Sequence, residues 1–142
     1  MSVRAYSRSR WVGLKIIPGT NPPQRLDSSG NRLQRTPETQ VSAVFDYTAP
    51  LGSWGRALNF RANYTWQSDM FWATDNIAKE PSYGLLDARI GLSPEGAPWE
   101  VAIWGKNVTD ELYRVNIISF FGEEVSQFGV PRTYGADFSW KF

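Results

Sequence analysis

Residues 57–67 read ALNFRANYTWQ. Leu58, Phe60, Ala62, Tyr64 and Trp66 share one face, and Asn59, Arg61, Asn63, Thr65 and Gln67 share the other. A period of two held this long predicts a β-strand with one apolar and one polar side. At about 3.3 Å per residue the stretch is roughly 36 Å long, or about 25 Å high at a 45° tilt, the height of the apolar band on an outer-membrane barrel.

The same alternation predicts five more strands. From Gln40 to Thr48, Val41, Ala43, Phe45 and Tyr47 oppose Ser42, Asp46 and Thr48, with Val44 breaking the pattern. From Tyr83 to Leu92, Leu86, Ala88, Ile90 and Leu92 oppose Leu85, Asp87, Arg89 and Gly91. Trp99, Val101 and Ile103 then oppose Glu100, Ala102, Trp104 and Lys106. A less regular strand is expected over Leu112–Phe120. Tyr134, Ala136, Phe138, Trp140 and Phe142 close the chain, opposite Gly135, Asp137, Ser139 and Lys141. Segments 18–37, 49–55, 68–82, 93–98, 107–110 and 121–132 carry the Gly, Pro, Asn and Ser of turns and loops.

Composition narrows the function. The 142 residues include 7 Trp, 6 Tyr and 8 Phe with 12 Gly and 9 Pro, which suits an all-β chain. There is no Cys and no His, which removes disulfides, thiolate chemistry, the usual zinc sites and the commonest general base. The acids are scattered over turns and opposite strands, so a facing carboxylate pair of the glycosidase kind is not expected. Catalysis is not expected at all. Residues 1–26 carry Arg4, Arg8, Arg10, Lys15 and Arg25 and no acid. With no second basic cluster to extend a phosphate-tracking surface, this leader does not predict nucleic-acid binding. The apolar stretch Trp11–Ile17 is broken by Lys15, too weak for a signal-peptide core, and no apolar run reaches transmembrane-helix length.

Alternation alone fits a soluble β-sandwich as well as a barrel. Aromatics at the ends of the apolar faces (Trp66, Trp99, Tyr134, Phe142) and the charges Arg61, Arg89, Glu100, Lys106, Asp137 and Lys141 on the other side favour lipid outside and water inside.

Five motifs point the same way. Asn31–Glu38 (NRLQRTPE), Pro81–Arg89 (PSYGLLDAR), Trp99–Tyr113 (WEVAIWGKNVTDELY), Gly129–Gly135 (GVPRTYG) and the closing Phe138–Phe142 (FSWKF) occur in order. Together they resemble the C-terminal barrel portion of TonB-dependent outer-membrane receptors, over about residues 30–142; residues 1–29 match nothing and stay an unassigned leader. The resemblance implies a transmembrane antiparallel β-barrel of 22 strands, of which this chain supplies a C-terminal fragment of about six, in the outer membrane of a Gram-negative bacterium. It implies import of a scarce ligand, a siderophore–iron complex, cobalamin or an oligosaccharide, with no cofactor. Partners would be outer-membrane lipid, the assembly machinery, the remaining strands and the plug domain, and through the plug the TonB energy-coupling protein. Plug, coupling box and signal peptide have no room here, so the chain reads as a fragment or a truncated frame.

Residue roles follow from the same likeness. Tyr134, Ala136, Phe138, Trp140 and Phe142 resemble the strand signal read by the assembly machinery, though Phe142 equally completes an aromatic girdle. Asn107, Asp110, Tyr113, Pro131 and Arg132 are the family's turn and strand-start residues, which local turn chemistry also explains. With Phe142 at the periplasm, counting strands back puts 121–132, 93–98 and 49–55 outside the cell and 107–110 and 68–82 in the periplasm. Phe120, Phe121, Glu123, Glu124 and Gln127 are then the candidate ligand contacts, a solvated loop being the plainer account. Asp87 and Arg89 fit either a buried functional pair or, as the plainer account, a cross-strand or same-face pair in the lumen. Two alternatives remain: a small complete outer-membrane barrel, and a soluble carbohydrate-binding sandwich in which Trp66, Trp99 and Trp104 stack on sugar rings.

Overall fold

The computed structural model describes residues 2–5, 14–17, 24–52, 56–94, 96, 98–120 and 123–142. These hold β1 (Ser2–Ala5), β2 (Leu14–Ile17), β3 (Gln24–Asp27), β4 (Thr39–Pro50), β5 (Arg56–Gln67), β6 (Met70–Phe71), β7 (Lys79–Glu80), β8 (Tyr83–Pro94), β9 (Trp99–Lys106), β10 (Arg114–Phe120), β11 (Glu123–Phe128) and β12 (Thr133–Trp140). Six of them form one antiparallel sheet in the order β1-β4-β5-β8-β9-β12. The other six make three two-stranded pairs, β2-β3, β6-β7 and β10-β11.

Register joins the apolar sides of neighbouring strands into one surface. Tyr47 faces Phe60, Phe60 faces Ile90, Ile90 faces Ile103 and Ile103 faces Ala136. Because side chains alternate, each such row fixes the next. Asp46, Arg61, Arg89, Trp104 and Gly135 form a matching row on the reverse side. Every alternation read from β4, β5, β8, β9 and β12 is kept, and Val44 sits among the polar residues.

No second sheet covers the apolar surface among the described residues. Phe45 is 56% exposed, Ile103 59% and Phe138 66%. The buried apolar residues are Met70, Trp72, Ala102 and Ile117, and three of these belong to loops rather than to the sheet. A sandwich needs two sheets with their apolar sides interleaved. That arrangement is not found. An exposed apolar surface this continuous calls for an apolar environment, and aromatics mark both of its ends. Tyr64, Trp66 and Tyr134 lie at one end; Tyr47 and the directly opposed Trp99 and Trp140 lie at the other. Each of β4, β5 and β8 has 12 residues, roughly 40 Å of strand or about 28 Å of height at 45°.

The strand count differs from expectation in one place, and the consequence is large. The 112–120 segment does not enter the sheet. Arg114–Phe120 pairs with Glu123–Phe128, inside the stretch expected to be loop, and β12 pairs directly with β9. The sheet keeps six strands because Ser2–Ala5, from the leader, pairs with the start of β4. Removing one strand from the count reverses every connection before it. Connections 6–38, 68–82 and 107–132 emerge at one end of the sheet, and 51–55 and 95–98 at the other. The expected grouping of 121–132 with 49–55 and 93–98 is therefore wrong. What replaces it, long loops at one end and short turns at the other, is the usual asymmetry of outer-membrane barrels.

Candidate functional site

The long-loop end holds two built structures, and the family-like motif residues make the first. Asn107 follows β9 directly, is buried, and takes φ +48°, a left-handed conformation that Asn tolerates. Its side-chain amide donates to the carbonyls of Glu111 (2.9 Å) and Val130 (3.2 Å), and its oxygen accepts from the Glu111 amide (2.9 Å). Asp110, also left-handed at +58°, accepts from the Arg132 amide at 3.1 Å and meets the Arg132 guanidinium at 3.5 Å. Pro131 stands between these two attachment points. Tyr113 stacks on Tyr83 with centroids 4.8 Å apart, and its carbonyl accepts from Gly129 N at 2.9 Å. A methyl group at Gly129 would run into the Tyr113 ring. Asn107, Asp110, Tyr113, Pro131 and Arg132 thus form one knot that closes the base of the 107–132 connection.

The second structure ties three connections into a cap. Arg32 donates to the Asp69 carboxylate (2.7 Å) and carbonyl (2.6 Å), and its Nε lies 3.3 Å from Glu38. Lys79 Nζ reaches the same Asp69 oxygen at 3.2 Å. Met70, Trp72 and Ile117 pack together beneath, with Ala78 against them. Arg35 takes φ +55°, uncommon for a residue with a Cβ. Its amide donates to Phe71 O at 2.6 Å, its guanidinium lies 5.8 Å from the Trp72 ring and it donates to Asn116 Oδ1 at 3.1 Å. Glu80, 3% exposed, accepts from Trp72 Nε1 and from Arg114.

Asp69 gives this cap a pH dependence. The hydrogen bond from Arg32 holds its carboxyl below the usual value of 3.8; desolvation opposes that shift and Lys79 adds to it. A depressed folded value means the contribution is present above 3.8 and is lost as pH falls through the folded value. Protease resistance of the 68–82 connection should therefore fall in that acid window. Asp69→Asn should be less resistant at neutral pH and should show a flatter acid profile; an unchanged profile would remove Asp69 from the account.

On the polar side of the sheet, Asp46 pairs with Arg61 at 2.5 Å and Arg89 with Glu100 at 2.8 Å. The expected Asp87–Arg89 pair is not formed. Asp87 instead accepts from the Asn107 amide at 2.9 Å, so it braces the knot from the inner wall. Trp104 lies flat over Gly135, where a Cβ would clash, with Lys106 Nζ 5.8 Å from its ring. Asp87, Trp104, Lys106 and Asp137 help line a concavity of about 480 Å³.

The other expected site residues fall as follows. Tyr134, Ala136 and Phe138, with Trp140, share the exposed apolar side of β12, which is an edge strand. Phe142 lies just beyond it and is exposed. Phe120 and Glu123 are backbone partners at the last rung of the β10-β11 ladder. Glu124 and Gln127 are exposed on β11, and Phe121 lies outside the described residues. Of the cap residues, Arg32 fell inside the Asn31–Glu38 motif, while Asp69, Trp72, Glu80 and Arg114 went unmarked in the sequence. The one signal was the apolar trio Met70-Phe71-Trp72 inside a supposedly solvated connection.

A one-layer sheet with an exposed apolar surface, a charged reverse and loops at one end is barrel wall. The family model for the TonB dependent receptor-like β-barrel matches residues 5–108. The chain belongs to this family. The TonB-dependent receptors are outer-membrane transport proteins rather than enzymes, and the match takes in most of the leader that the motifs left unplaced. Among solved structures, the ferric yersiniabactin uptake receptor FyuA from Yersinia pestis superposes with a TM-score of 0.73 at 21% identity, over 81% of this chain. This chain spans 18% of that receptor's length. No curated protein matches the chain.

Proposed function

We propose that this chain is the closing barrel segment of a TonB-dependent receptor that imports a scarce ligand across the outer membrane. The observation that carries the reading is the register itself: five strands share one exposed apolar side and one charged side, and among the described residues the built loops lie at one end. In this reading the long-loop end faces the exterior, and 51–55 and 95–98 face the periplasm. The charged side looks into the lumen, where a plug contacts it and couples to TonB. The β12 edge with its alternate apolar residues is the strand that the assembly machinery receives and that the first barrel strand then pairs. The cargo belongs to the siderophore–iron, cobalamin or oligosaccharide classes. We place siderophore–iron first, because a similar solved structure is a ferric yersiniabactin receptor and the cap offers Arg32, Arg35, Lys79 and Arg114 against Glu38, Asp69 and Glu80. Glu124 and Gln127 on the hairpin are the ligand contacts proposed within the chain.

The reading has an energetic test. A six-stranded sheet leaves two edges, and each unpaired backbone group in hydrocarbon costs several kcal/mol. Refolded alone into detergent, the 142-residue chain should give no heat-modifiable, protease-resistant band, whereas a barrel carrying the missing strands should. A resistant band from the piece alone would show a self-sufficient small barrel instead.

A further inference from the structure

We infer that Glu80 is a latch that seats the β10-β11 hairpin on the cap, and that releasing it frees the hairpin while the barrel sheet stays closed. A two-stranded hairpin is marginal by itself in water. This one buries only Ile117 among its described side chains, while Val115, Ile118, Val125 and Phe128 are exposed. Its order must come from its attachments.

Those attachments concentrate on its first residue. Glu80 Oε1 accepts from the Arg114 amide at 3.0 Å, and Oε2 accepts from Arg114 Nε at 2.6 Å. Arg114 Nη2 donates to the Lys79 carbonyl at 2.6 Å, so the guanidinium spans both residues of β7. Trp72 Nε1, at 3.3 Å, fixes the carboxylate from the cap side. A bulge at Val115 puts Arg114 out of step with the hairpin ladder; bulges re-aim a strand in this way. Two smaller contacts follow, Arg35 on Asn116 and Ile117 against Met70 and Trp72. The Glu80 carboxylate is 4% exposed, so deleting Arg114 leaves a buried charge without its partner. That is far costlier than losing an exposed pair. The latch goes beyond the import reading, since it concerns the pose of the hairpin whatever the cargo.

Amide hydrogen exchange on the assembled barrel tests it, comparing wild type with Glu80→Gln, Arg114→Met and the double variant. Exchange over 116–120 and 123–128 should speed up on the order of 100-fold in Arg114→Met. The effect should be smaller in Glu80→Gln, and the double variant should lie below Arg114→Met because no buried charge is stranded. Protection of β8 and β9 should not change in any of them. Unchanged hairpin exchange in both single variants would overturn the proposal. So would equal loss across β8 and β9, which would make Glu80 a general fold residue rather than a local latch.

Discussion

Ile103→Arg should destabilise the assembled barrel by about 2–4 kcal/mol, the cost of a cation on the lipid-facing side near mid-membrane. Ile103 is 59% exposed, midway along β9, flanked by Ile90 and Ala136. On a water-soluble protein a substitution so exposed normally stays within about 0.5 kcal/mol. The size of the expected effect therefore depends on the solvent alone. Ser42→Arg on the opposite side of β4 is the control and should stay within about 0.5 kcal/mol. Urea unfolding of the barrel in lipid vesicles measures both. A neutral Ile103→Arg would mean that the apolar surface meets water or another protein.

Asn107→Ala should cost roughly 2–4 kcal/mol, as three part-buried backbone groups lose a partner and a Cβ-bearing residue without a local hydrogen bond stays left-handed. The groups are the Glu111 amide and the carbonyls of Glu111 and Val130. Asn107→Gly should recover about 1 kcal/mol of that, since glycine tolerates the φ of +48°. Asn107→Asp should cost at least as much as Ala, because it keeps an acceptor for the Glu111 amide but sets a carboxylate oxygen against the carbonyls of Glu111 and Val130. The same unfolding assay reads all three. An Asp variant as stable as wild type would show that the donations to Glu111 and Val130 contribute nothing.

The barrel wall was legible because lipid imposes a strict rule on it. In β5 every second residue must suit hydrocarbon, so ALNFRANYTWQ reveals its faces without any neighbour. The hairpin obeys no such rule. Val115, Ile117 and Ile118 do not share a face, and a loop hairpin needs no apolar side, so Leu112–Phe120 resembled an irregular wall strand. That single miscount turned the sheet upside down. Connection length carried the correction, since 51–55 and 95–98 are short and 107–132 is long. The motif residues Asn107, Asp110, Tyr113, Pro131 and Arg132 were recognisable as a set, but their mutual contacts join positions about 20 apart and left no local pattern. Glu80 gave less still. It is one glutamate before a proline, and its role exists only because Arg114 arrives from 34 residues away.

The most direct test uses the absence of cysteine from the chain. Single cysteines placed in turn along β9 and β12 of the assembled barrel, spin-labelled and probed with oxygen and with a water-soluble nickel chelate, read the solvent at each residue. Val101, Ile103, Ala136 and Phe138 should favour oxygen, and Glu100, Asp137 and Ser139 the chelate, with a strict period of two. Chelate access at Ile103 and Phe138 equal to that at Asp137 would contradict a wall between lipid and a water-filled lumen.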